Sequence, residues 1–237
     1  MPYLKNSVSA LAVLAALSSF GCGSDDDPSD AKLALTSPRI EAGKPLPAEF
    51  TCEGKEFGES SSPELNWSHE SDATKSYAIL LKDLTIESGQ SVADPDPEHP
   101  YHWAIWNIPR ATHKLPAALS IDQIPFTGAQ QQNGAPPFIK AGPYGYFGPC
   151  PNLGVWAGAP SEVHNDVFIL YTFSDAVLTP PAYDPGTGTA PLNPVRQLAE
   201  FFEAHPSLIA TAELKFTSDA KPATCPGFPN PPFACVP

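Results

Sequence analysis

Tyr101-His-Trp-Ala-Ile-Trp-Asn-Ile108, in one-letter code YHWAIWNI, is a nearly continuous apolar run rich in aromatic and β-branched side chains. Val167–Phe173 (VFILYTF) is a second such run. Runs of this kind predict central strands buried on both faces. Ser76–Asp83 (SYAILLKD) and Ala210–Thr217 (ATAELKFT) read as two further strands. In the last of these, Ala212, Leu214 and Phe216 alternate with Glu213 and Lys215, so one face should lie in a core and the other in water. One helix is expected. Asn193 can cap it, Pro194 fits its first turn, and Val195, Leu198, Phe201 and Phe202 share one face until His205-Pro206 ends it. The Gly-, Pro- and Gln-rich stretch 128–152 is expected to be a long ordered loop. The chain's 30 prolines favour strands and loops over helices, so the fold class is mainly β.

The ends of the chain carry different signals. Residues 1–21 form a short n-region with one Lys and an apolar run, Val8 to Phe20, that is too short to span a bilayer. A small-residue site then precedes Cys22, which predicts a secretory signal peptide and lipidation of Cys22. Residues 22–32 read as a polar tether, 33–218 as one all-β domain, and 219–237 as a Pro-rich tail. Processing at Cys22 leaves 216 of the 237 residues and removes Lys5, taking the formal charge from −13 to −14. That surface repels phosphate backbones, so nucleic acid is not an expected partner.

With Cys22 acylated, Cys52, Cys150, Cys225 and Cys235 remain, an even number in an exported chain, and three pairings are open. Cys225 and Cys235 are close enough in sequence to staple the tail. No C-x-x-C, G-x-S-x-G, H-E-x-x-H or P-loop occurs. The acidic stretch Asp94, Asp96, Glu98 and His99 offers oxygen ligands but lacks the spacing of a calcium loop, so no metal or cofactor is assigned.

Six segments in order, EFTCEG (49–54), SSPELNWS (61–68), TKSYAILLKD (74–83), HWAIWNIP (102–109), GYFGPCPN (145–152) and HNDVFILYTF (164–173), resemble the phosphatidylethanolamine-binding protein family, in its bacterial Raf-kinase-inhibitor-like branch. The resemblance spans about residues 33–217. It implies a central antiparallel sheet packed on a second, smaller sheet, with a helix near the C-terminus. It also implies a pocket for a small polar or phosphate-like group at one end of the sheet.

Carried over residue by residue, the resemblance assigns to the pocket Asp83, His102, Trp103, Gly148, Pro149, His164 and Asp166. Trp103 itself reads as core on composition, like Trp67 and Trp106. The family's Asp-Pro-Asp signature has a decoy here in Asp94-Pro-Asp-Pro97. The resemblance implies eight residues from the Lys at Lys75 to the first Asp of that signature, which reaches Asp83; Asp83 is therefore the expected pocket carboxylate, with the acidic stretch an insertion. Asp166 stands where the family has Tyr. A carboxylate accepts hydrogen bonds and repels phosphate, so Asp166 should turn away, or the pocket should prefer a neutral or cationic group, or phosphate binding should be lost. The resemblance also pairs Cys52 with Cys150 beside the pocket and leaves Cys225 with Cys235.

Together these readings describe an exported, membrane-anchored lipoprotein of a bacterial cell envelope. It would be a binding module or inhibitor rather than an enzyme, with a small ligand, a possible protein partner, and membrane contact through the lipid alone. A hydrolase using Asp83, His102 and His164, or a scaffold with a vestigial pocket, are the alternatives.

Overall fold

The strand SYAILLKD is apolar through most of its length, and the computed structural model buries every one of its residues. The structure describes residues 32–55, 60–68, 71–119, 124–134, 145–184 and 192–223. In chain order the strands are β1 (Ala34–Thr36), β2 (Leu65–Ser68), β3 (Ser76–Asp83), β4 (Tyr101–Pro109), β5 (Lys114–Leu115), β6 (Gln130–Asn133), β7 (His164–Phe173) and β8 (Leu208–Ser218). A one-turn helix α1 (Leu84–Glu87) follows β3, and α2 (Pro194–Ala204) precedes β8. The larger sheet runs β6-β4-β3-β7-β8 and the smaller β1-β2-β5, with all strand pairs antiparallel.

Alternation along the strands divides the core into two layers. Tyr77, Ile79 and Leu81 of β3, Phe168 and Leu170 of β7, and Leu214 and Phe216 of β8 face the smaller sheet, where Leu35, Leu65, Trp67 and Leu115 meet them. Ala78 and Leu80, Trp106, and Ile169 and Tyr171 face the other way, onto Val195, Leu198, Ala199 and Phe202 of α2. The helix is capped as its sequence predicts: the Asn193 side chain accepts hydrogen bonds from the N–H groups of Val195 and Arg196, with Pro194 in the first turn.

The runs at 101–108 and 167–173 form interior strands buried on both faces, as their sequence predicts, on either side of β3. One expectation needs correction. The loop expected over 128–152 carries an edge strand, β6, paired to β4 from Trp103↔Asn133 to Trp106↔Gln130. Its sequence, QQQN, gives no apolar signal. An edge strand needs only backbone hydrogen bonds on one side, and polar side chains suit that position.

The signal segment, Cys22 with residues 23–31 of the tether, and Cys225–Cys235 lie outside the described residues. The beginning of the tail is anchored, since Asn152 donates from its side chain to the Asp219 carbonyl and from its backbone to that of Ala220. Among the described residues no helix is long and apolar enough to cross a membrane.

Candidate functional site

At the end of the larger sheet, β3 and β7 pair so that Asp83 lies opposite Asp166. Asp83, His164 and Asp166 occupy the face that carries Leu81 and Phe168, turned towards the smaller sheet. His102 reaches the same place through an irregularity. Leu81 pairs with Trp103 and Lys82 with Tyr101, so His102 is the extra residue of a β-bulge. A bulge re-aims a side chain that strict alternation would send to the other face. The result is a buried cluster in which ligand-type atoms of Asp83, His102 and Asp166 all lie within 4.8 Å of one another.

Asp83 does two jobs. Its Oδ1 accepts from the N–H groups of Thr85 and Ile86, at 2.8 and 3.0 Å, and so caps α1. Its Oδ2 lies 2.6 Å from Nδ1 of His164. The other ring nitrogen of His164, Nε2, lies 2.9 Å from Oε2 of Glu162. Burial opposes a charge on His164, but the hydrogen bonds and charges of Asp83 and Glu162 outweigh it and raise the imidazole above its ordinary pKa. Glu162 is held in turn by Ser91 Oγ at 2.7 Å and by the N–H groups of Val92 and Ala93. Burial would raise its carboxyl. The hydrogen bonds from His164, Ser91, Val92 and Ala93 prevail and bring it down to about 2.

His102 and Asp166 have a different character. Both ring nitrogens of His102 and both carboxyl oxygens of Asp166 are buried without a hydrogen-bond partner. Burial pushes the His102 imidazole down to about 4, so the ring is neutral. Burial, and then the neighbouring Asp83, raise the Asp166 carboxyl well above the usual carboxylate range. Phe147 stacks on the His102 ring with centroids 5.6 Å apart.

The structure therefore brings Asp83, His102, His164 and Asp166 together. The acidic stretch is not part of this cluster, and its carboxylates are engaged within the stretch and by the start of α2. Asp94 binds His99 Nδ1 at 2.8 Å and accepts from the Asp96 N–H. Glu98 accepts from the Asn193 N–H and pairs with Arg196. Asp166 does not turn away from the cluster. Trp103 does not join it: the ring is fully buried in the core between the sheets, donates from Nε1 to Gln131 at 3.0 Å and meets Tyr146 edge-on.

Gly148 and Pro149 support from behind. The Gly148 N–H donates to Ser60 Oγ at 2.8 Å, and a Cβ there would fall 2.2 Å from the Phe50 carbonyl, which explains the glycine. The Pro149 carbonyl accepts from the Cys52 N–H, and Cys52 is bonded to Cys150. It is the preceding Phe147 that reaches His102. Sequence reasoning missed Glu162, although an acid two residues before a strand histidine shares its side of an extended chain.

Comparison with known proteins adds the following. The family profile described as "Phosphatidylethanolamine-binding protein" matches residues 36–216. "Putative lipoprotein LppC" of Mycobacterium tuberculosis is 27% identical over 172 residues, 73% of this chain and 69% of that protein. A UPF0098 protein of Methanothermobacter thermautotrophicus is 30% identical over 133 residues, 56% of this chain and 70% of its own. The crystal structure of E. coli YbcL, described as a new member of the mammalian PEBP family, matches with a TM-score of 0.54 at 25% identity, over 81% of this chain and 100% of that one.

Proposed function

Because the chain belongs to the phosphatidylethanolamine-binding protein family, we propose that it is an exported, lipid-anchored binding protein whose buried cluster takes a small polar ligand. One observation carries the pocket reading: His102 and Asp166 present four buried polar atoms that no protein group satisfies. Each such atom costs about 1–3 kcal/mol relative to a paired one. A cluster that keeps this cost is better explained by a ligand than by a vestigial scaffold. A hydrolytic relay finds little support. Both nitrogens of His164 are engaged by carboxylates, and no hydroxyl or thiol among the described residues hydrogen-bonds His102. Export and anchoring rest on the sequence around Cys22 and on the name of the mycobacterial relative.

Calorimetry of the full chain in detergent, with inorganic phosphate and phosphoethanolamine, tests the pocket. Binding that His102→Ala abolishes, with no turnover of phenyl esters or phosphates, is the expected result. Turnover lost in the same variant would establish the hydrolase instead. Cys22→Ser should move the protein from membranes to the soluble fraction, and a variant that stays in membranes would sink the anchor.

A further inference from the structure

We propose that Asp83, His102 and Asp166 form a site for a divalent transition-metal ion, with His164 and Glu162 as its outer shell. This names the ligand of the pocket described above and rests on that pocket being a binding site. The three residues offer one atom each within 4.8 Å of one another. Tetrahedral ligation at about 2.1 Å asks for separations of about 3.4 Å, so small inward rotations complete the set.

The cluster is more than a group of acids. His102 is 6% exposed and Asp166 not at all, and neither has a protein partner for any side-chain polar atom. A neutral imidazole keeps one lone pair for a metal. The register adds to this: Asp83 and Asp166 face each other directly across β3 and β7, so both can be ionised together only with a cation between them. Asp83 has His164 beside it, whereas Asp166 has no donor of any kind.

The surroundings suit a metal as well. A ligating carboxylate is normally oriented by an outer hydrogen bond. Asp83 has that bond from His164, and His164 is fixed by Glu162. One imidazole and two carboxylates, without a thiolate, favour Zn²⁺, Mn²⁺ or Co²⁺ over Cu⁺, and the imidazole disfavours Ca²⁺ and Mg²⁺. Three protein ligands leave an open position at which an oxygen of a polar ligand can bind. The more conspicuous stretch at Asp94–His99 lacks this character, because its carboxylates are already hydrogen-bonded within the loop and to the start of α2.

The test uses the full chain in detergent, stripped with a chelator. Zn²⁺ is titrated by calorimetry and Co²⁺ by its visible absorption. One equivalent is expected to bind, with Co²⁺ bands that report a nitrogen ligand. Asp166→Asn and His102→Gln should each weaken uptake by at least about 50-fold, while His99→Ala leaves it unchanged. Circular dichroism confirms that each variant folds, and the Co²⁺ spectrum of the unmutated chain decides should both variants misfold.

The inference falls if the stripped chain takes up no equivalent below about 1 mM, or if a folded variant binds within about threefold of the parent. It falls equally if His99→Ala removes the uptake, which would mark adventitious binding at the acidic loop. Phosphoethanolamine and ethanolamine are titrated in parallel without metal. Binding of either that His102→Gln abolishes, with no metal uptake, discards the metal and keeps the pocket. No binding of any probe discards both.

Discussion

Glu162 shows how much one side chain can organise. It joins the strand-borne His164 to the segment Ser91–Ala93 between α1 and β4, and four donors share its two oxygens. Those donors hold its carboxyl at about 2 in the folded protein, below the ordinary 4.5. A depressed carboxyl contributes stability that is fully present above the unfolded value and is lost as pH falls from about 4.5 towards 2. Glu162→Gln is therefore expected to lower stability by about 1–2 kcal/mol at neutral pH, a figure reduced for the partial exposure of the group. The difference from the parent should shrink steadily below pH 4.5. Urea denaturation at pH 7, 4 and 3 checks this, and a difference independent of pH would refute it.

Among the elements, α2 is fixed by its first residues more than by its length. The Asn193 side chain caps the helix with its oxygen, and its Nδ2 lies 2.8, 2.9 and 3.2 Å from the carbonyls of Glu98, Tyr101 and Gly134. It thereby ties together the helix, the acidic stretch, the start of β4 and the end of β6. Asn193→Ala removes the cap and leaves carbonyls unpaired, and should cost about 2–3 kcal/mol in chemical denaturation. Asn193→Asp keeps the cap but sets a buried carboxylate against those carbonyls, and should cost at least as much. The helix face itself follows its spacing: Val195, Leu198, Ala199 and Phe202 are buried, and Phe201 packs at the margin.

At the scale of the whole molecule, a covalent link joins two segments that are distant in sequence. Cys52 and Cys150 are 98 residues apart in sequence and are bonded. The bond joins the segment before β2 to the one that carries Phe147 onto His102. Closing a loop of that size restricts the unfolded chain by up to about 4.7 kcal/mol in the entropy model. The double variant Cys52→Ser, Cys150→Ser is expected to lose about 2–4 kcal/mol. It should also loosen the pocket end before the far end of the sheet, read as a larger rise in amide exchange over the parent at Phe147 and Gly148 than at Ser76–Ile79. An equal rise across both would show that the bond acts on the unfolded chain alone.

The sequence by itself determined the mainly β class, the four long strands, the capped helix and the membership of a family. Period-two alternation, helical spacing and caps are local, and local physics writes them into the chain. The family's spacing, counted from Lys75, also singled out Asp83 over Asp94. Tertiary structure decided the rest. The polar strand Gln130–Asn133 exists because β4 offers it an edge. Trp103 went to the core while its neighbour His102 went to the cluster, because a bulge against Leu81 turned the histidine. Asp166 faces Asp83 through a register between strands 81 residues apart or more, and no local rule reaches that far. The partners of a buried polar group come from distant segments, so which of them are satisfied, and which await a ligand, is settled only when those segments meet.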